Sequence, residues 1–316
     1  MKKLRMIATF RYLNISDNIK GGFTLMPLVN ITNDPEIIKD ILNQEFITTA
    51  GTIESSHFKD ANHIIYSECD DTFFQGLGSQ KALAVWLHWL GMLIKDAWLI
   101  KDHAIECDIA YCNMKSGIVS EWSNNSIRLS SSFSSGVKFK EVTFSLSELA
   151  ELEEKSFKLQ SYLHQKSSST FNEFVDKQFS RTGRALRFIS AARTECHPAI
   201  KISHYCSALE SLFSTDSSEL VHKLSERIAI FLKDYGYDPC DIFDEIKSFY
   251  GIRSKVTHGD SIQPKKIDKI PNLSVRCDEL TRVILNIILN NDEVLKVFDG
   301  KKDDFEKHFK NILLNS

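Results

Sequence analysis

At Ser145 the hydrophobic pattern of this chain changes period, and the change limits what each half can fold into. Before it, LRMIATFRYLNI (4–15) and FTLMPLVNI (23–31) carry the alternation and β-branched content of half-buried strands. After it, SLSELAELEEKSFKLQSYL (145–163) supplies a serine cap, early glutamates and leucines at helical spacing, and little strand-like alternation follows. Strands and amphipathic helices bury their apolar faces in different ways. The sequence therefore predicts an α+β protein with a mixed α+β domain over 1–145 and an all-α helical bundle over 146–316.

Within the first domain, Gly21-Gly22 reads as the turn between the first two strands, and Asp34-Pro35 opens a short helix through Leu42. More strands are expected at 63–67, 105–111, 127–132 and 137–144. Between the first two of these lies ALAVWLHWLGMLI (82–94), read as a buried helix with Trp86 and Trp89 on one face. In the second half, helices are expected at 145–164, 170–195, 198–214, 217–235, 239–257, 265–290 and 292–314. Their connections, such as QKSSST (165–170) and STDSS (214–218), are short and polar, which favours antiparallel neighbours.

Composition narrows the function classes. With 316 residues, 42% hydrophobic and 26% charged, the chain can bury a core without disulfides or metal. A net charge of -3 gives no global attraction to polyanions, so any contact with nucleic acid must be local. The seven cysteines are odd in number and form no C-x-x-C pair, which points to a reducing cytoplasm and away from a structural zinc site. The apolar run after the basic N-terminus is broken by Arg11 before it reaches signal-peptide length, and 82–94 falls short of the roughly 20 residues of a membrane span. No membrane association is expected.

The chemistry concentrates in RSKVTHGD (253–260). Arg253 offers a planar fork of donors suited to phosphate oxygens, and His258 belongs to the one residue type that exchanges protons near neutrality without perturbation. An arginine and a histidine five positions apart are a weak signal alone. Here they follow HYCSALESLFS (204–214) and KLSERIAIFL (223–232), and they sit inside EIKSFYGIRSKVTHGD (245–260). This order of helices, with Tyr250 before the arginine, Ser254 after it and Gly259 after the histidine, resembles the HEPN superfamily, specifically its ApeA-like branch. The resemblance covers about the last 130 to 170 residues and leaves the first domain uncovered.

What the resemblance implies is a bundle that forms a homodimer through its motif helices, giving a composite, metal-independent ribonuclease cleft in the cytoplasm. It also implies an antiphage or toxin role, in which a phage-derived or protein trigger acts on the first domain. The residues allow the chemistry to be rebuilt. Arg253 would stabilise charge on the phosphoryl oxygens, while His258 would take the 2′-hydroxyl proton and protonate the departing 5′ oxygen, leaving 2′,3′-cyclic phosphate and 5′-hydroxyl ends. On an ideal helix these two positions lie about 140° apart. Either the helix unwinds at Gly259 and swings His258 away, or a second chain supplies the missing partner.

Supporting candidates are Ser254, Tyr250, Lys255 and Glu210. Ser254 would orient substrate or bond to its own backbone, and Tyr250 would line the cleft or pack in the core. Glu210 would orient an arginine across the bundle, and Lys255, Lys265, Lys266 and Lys269 would add phosphate contacts. Glu226 and Arg227 read as partners in bundle salt bridges. Cys196, His197, His204 and Cys206 match no zinc spacing, and Glu68, Asp70 and Asp71 read as a solvated loop, so neither a metal nor a cofactor is expected. The competing reading is a catalytically silent bundle that dimerises and holds RNA or a protein partner.

Overall fold

The computed structural model describes residues 2–126, 131–166, 180–215, 220–261 and 267–315. The chain divides into two units, residues 1–131 with 139–157, and residues 132–138 with 158–316.

The first unit is built on an antiparallel sheet. Its strands are β1 (Lys3–Ala8), β3 (Phe23–Met26), β4 (Val29–Thr32), β5 (Ile64–Asp70), β6 (Ala110–Ser116) and β7 (Val119–Asn125), in the order β3-β4-β5-β1-β6-β7. A separate parallel pair joins β2 (Leu13–Ile15) to β8 (Val142–Phe144). The expected run 4–15 is thus two strands, because the backbone at Tyr12 turns into the left-handed region with φ 63°. The run 23–31 is a hairpin that turns at Pro27-Leu28, where Leu28 has φ 62°. Gly21-Gly22 therefore joins strands that do not pair with each other.

Three helices pack on this sheet. Asp34 caps α1 (Pro35–Ile41) by accepting from the Glu36 N–H, as the Asp-Pro signal predicts. A helix that the sequence reading did not anticipate, α2 (Gln44–Asp60), starts at an Asn43 cap and bends at Gly51, whose φ is 77°. Thr48, Thr49, Gly51 and Thr52 lie in this segment, and they weaken its helical signal. Phe46 and Phe58 from α2 close on Tyr111 with ring centroids 5.2 and 5.8 Å away, and all three rings are buried. The tryptophan helix is α3 (Gly78–Asp96), with Trp86 fully buried and its indole N–H donating to the Leu28 carbonyl at 2.8 Å.

Two strand expectations need correction. The segment 105–111 contributes only an isolated bridge at Glu106 before β6 begins at Ala110, and 137–144 forms a strand only from Val142. Most of 127–132 lies outside the described residues. The β6–β7 hairpin was missed because SEWSNN (120–125) is polar and carries little β-branched content.

The helix α4 (Leu146–Lys166) opens on a reciprocal capping box, with Ser145 N–H donating to Glu148 Oε2 at 2.9 Å and Glu148 N–H donating to Ser145 Oγ at 3.2 Å. Its residues up to Phe157 belong to the first unit, so the division falls within the helix.

The second unit is a run of helices. They are α5 (Arg181–Thr194), α6 (Pro198–Phe213), α7 (Leu220–Lys233), α8 (Pro239–His258), α9 (Ile270–Asn290), α10 (Asp292–Asp299) and α11 (Lys302–Asn315). The helix α6 packs against α5, α8 and α9 and supplies much of the core through Ile202, Tyr205, Leu209 and Phe213. The expected single helix over 292–314 is two, broken at Gly300, whose extended backbone ends α10. Residues 170–179, 217–219 and 265–266, where three helices were expected to begin, lie outside the described residues.

Candidate functional site

The site is built on α8. Asp238 caps it by accepting from the N–H groups of Cys240 and Asp241, and Pro239 fills its first position. A stripe of buried residues, Ile242, Ile246 and Phe249, runs down one side at spacings of four and three. The next position on that stripe, four residues on, is Arg253, which is half-buried.

Arg253 is held there by α6. Its Nη2 donates to Glu210 Oε2 at 3.2 Å, and its Nη1 lies 2.7 Å from Glu210 Oε1 in an ionic contact. The guanidinium also lies over the Tyr250 ring, 5.4 Å from its centroid. Arg253 keeps 30% of its side chain exposed. Glu210 thus reaches Arg253 from the neighbouring helix.

Tyr250 is buried, and its hydroxyl donates to the Cys206 carbonyl at 3.1 Å. Burial pushes its phenol well above the ordinary value of 10.0, and the charge of Glu210 adds to the effect. It is a neutral donor in the core, beneath Arg253, and its ring is covered where base stacking would need it open.

His258 is the last residue of α8, and the helix ends in the left-handed cap at Gly259, with φ 72° and ψ 20°. The N–H groups of Gly259 and Asp260 both donate to the Lys255 carbonyl. Unwinding begins after His258, so the histidine keeps its helical position, about 140° around the axis from Arg253. It is exposed, on the side shared with Gly251 and Ser254. Of the two routes that would bring Arg253 and His258 together, the unwinding that swings His258 off the helix is absent.

The remaining candidates separate. Lys255 is half-buried, and Lys269 is exposed just ahead of α9, while Lys265 and Lys266 lie outside the described residues. Arg227 pairs with Glu306 of α11 at 2.6 Å and donates to the Phe213 carbonyl at 2.7 Å, which fixes it as a tie between helices. His197 caps α6 by accepting from the Ala199 N–H, Cys206 is buried and Cys196 is exposed. Glu68 pairs with Arg5 at 2.6 Å. Among the described residues no group of three or more His, Cys, Asp and Glu side chains is arranged to hold a metal ion.

No family model, no curated protein and no solved structure matches this chain. The functional reading therefore stands on the residues themselves. No helix of the described residues is long and apolar enough to cross a membrane.

One polar feature of this unit was not anticipated. Asp278 on α9 is fully buried, accepts a hydrogen bond from the Tyr205 hydroxyl and lies 2.8 Å from Arg282 Nη1. It anchors α6, the helix that carries Glu210, to α9. The sequence signal was the Asp278 to Arg282 spacing of four on an apolar helix.

Proposed function

We propose that the second unit is a metal-independent endoribonuclease of the cytoplasm, acting as a homodimer in an antiphage or toxin system. The observation that carries this reading is the setting of Arg253, a partly exposed side chain whose guanidinium is braced by Glu210 and Tyr250, on the same helix as an exposed His258. A braced fork is preorganised for a phosphoryl group, and this is the form of electrostatic catalysis that loses least to reorganisation. His258 supplies acid–base chemistry at the adjoining helix end. Because the two residues face different sides of α8, the reading requires two copies of the chain, with α8 meeting α8 so that His258 of one approaches a phosphate on Arg253 of the other. The first unit would then hold the reaction in check until a phage-derived or protein trigger arrives.

The exposed side of α8 supports such a meeting. Gly251 lies mid-helix with open space around its Cβ position, where alanine would favour the helix by about 0.5–1 kcal/mol. A glycine there suits the close approach of a second helix.

A second reading keeps the bundle as a dimerising module that holds RNA or a protein without cleaving. Glu210 favours it, because the carboxylate neutralises the guanidinium that would otherwise meet phosphate. The experiment that separates them is cleavage of mixed RNA in EDTA by the purified chain, compared with Arg253→Ala and His258→Ala. The ribonuclease reading expects 5′-hydroxyl and 2′,3′-cyclic phosphate products from the wild type and a loss of at least a hundredfold in both variants. RNA retained by all three proteins without cleavage would support the silent module.

A further inference from the structure

In the first unit the corner between α2 and β5 is tied down by two adjacent side chains, Asn62 and His63. Asn62 holds β2, accepting from the Ile15 N–H at 3.3 Å and donating to the Ile15 carbonyl at 3.0 Å. Those two bonds fix which end of its amide is the oxygen. His63 is wholly buried, and its Nε2 accepts from the Phe10 N–H at 3.2 Å, just past the end of β1. Thr9 Oγ1 donates to the His63 carbonyl at 3.2 Å, so the side chain and the backbone of this one residue both hold the chain as it leaves β1.

These partners leave the imidazole a single protonation state. A backbone amide only donates, so the Nε2 that receives it carries no proton. Nδ1 lies 3.1 Å from Asn62 Oδ1, an acceptor, and therefore carries the one proton of a neutral ring. A second proton on Nε2 would set N–H against N–H at Phe10 and place a cation in the core. Burial accordingly pushes His63 down from its ordinary 6.5 to about 3, and His57 of α2 acts in the same direction. Among the described residues no carboxylate offsets this.

His57 lies in the last turn of α2. Its Nε2 is buried without a hydrogen bond, 3.9 Å from Asp108 Oδ1, while Arg11 pairs with the other oxygen of Asp108. Burial and Arg11 lower its pKa, against Asp108, Glu54 and Asp60, which favour the charged ring. Further back along α2, Gly51 leaves the helical conformation, with φ 77° and ψ 177°. Residues 52–60 are thus a separate rigid piece, jointed at Gly51 and fastened at the far end by the His63 corner.

We propose that His63 is an acid-operated latch of the first unit: protonation of Nε2 breaks the bond to Phe10, pulls the corner away from Phe10 and Ile15, and lets residues 52–60 swing about Gly51. The direction follows from proton linkage. The closed form holds His63 neutral, and the open form returns it to its ordinary value, so opening takes up a proton. The open fraction is therefore flat above pH 6.5 and rises about tenfold for each unit below it, towards pH 3. The latch lies wholly in the first unit and does not depend on ribonuclease activity in the second.

The test is amide hydrogen exchange on the full chain from about pH 7.5 to 4.5, expressed as protection factors so that intrinsic pH dependence is removed. The amides of Phe10, Ile15 and Phe58 should lose about tenfold in protection per pH unit below 6.5. Met6 and Cys112, paired in the middle of the sheet, should keep theirs. His63→Gln retains an acceptor and a donor but does not titrate, so it should abolish the slope, whereas His57→Gln should leave it in place. Ring-nitrogen resonances of His63 in the wild type add a check that needs no variant, showing the Nδ1–H form without titration near 6.5. The proposal is overturned if that ring titrates near 6.5 in the folded chain, or if the three amides stay protected at the acid end. It is equally overturned if they open only together with Met6 and Cys112, or if His63→Gln keeps the wild-type slope.

Discussion

Arg253 continues the buried stripe of α8 with a charged side chain, and Glu210 and the Tyr250 ring hold its guanidinium there. The Tyr250 hydroxyl serves the Cys206 carbonyl and not the solvent side. Tyr250→Phe should therefore lower stability by about 1 kcal/mol in urea unfolding, the cost of leaving a buried acceptor unsatisfied. It should change RNA cleavage by less than threefold, since the ring under the guanidinium remains. A tenfold loss of cleavage at unchanged stability would instead give the hydroxyl a part in the chemistry. Glu210 was legible as an acidic residue beside an apolar stripe, and so was its reach towards an arginine. The burial of Tyr250 was open in the sequence, because a tyrosine near a helix end suits both a cleft and a core.

Among the elements, helices were easier to read than strands for a local reason. Caps such as Asp34-Pro35, Ser145 with Glu148, and Asp238-Pro239 act within one turn, so the sequence displays them directly. Strand partners are distant, and the polar β7 is fixed by Glu45, some 75 positions away, through contacts that no local pattern announces. The same contacts lower the Glu45 carboxyl to about 2, chiefly through the hydrogen bonds from Ser120 and Trp122. Its folded value lies below its ordinary 4.5, so its contribution to stability is present above pH 4.5 and fades as pH falls towards 2. Glu45→Gln should reduce stability at pH 7 and flatten the pH dependence between about 5 and 2, as read by thermal unfolding across that range. On α8, Gly251→Ala should raise the unfolding free energy of the monomer by about 0.5–1 kcal/mol. Gly251→Trp should leave the fold intact and abolish any pairing through this face, which sedimentation would report.

At the scale of the whole molecule, the change of period at Ser145 anticipates an antiparallel sheet with helices followed by a run of helices. It does not anticipate where the division falls, because α4 runs on past the core that its first turns serve. The proposed catalytic unit is larger than one chain. His258 keeps its helical position on the exposed side of α8 while Arg253 turns towards α6, so the account stands or falls on cooperation between two copies. The most direct test mixes Arg253→Ala and His258→Ala chains in equal amounts and measures cleavage of end-labelled RNA in EDTA. The account predicts that each variant is inactive alone and that the mixture recovers a substantial fraction of wild-type cleavage, because one chain supplies the arginine and the other the histidine. A mixture as inactive as its components, beside an active wild type, would contradict it.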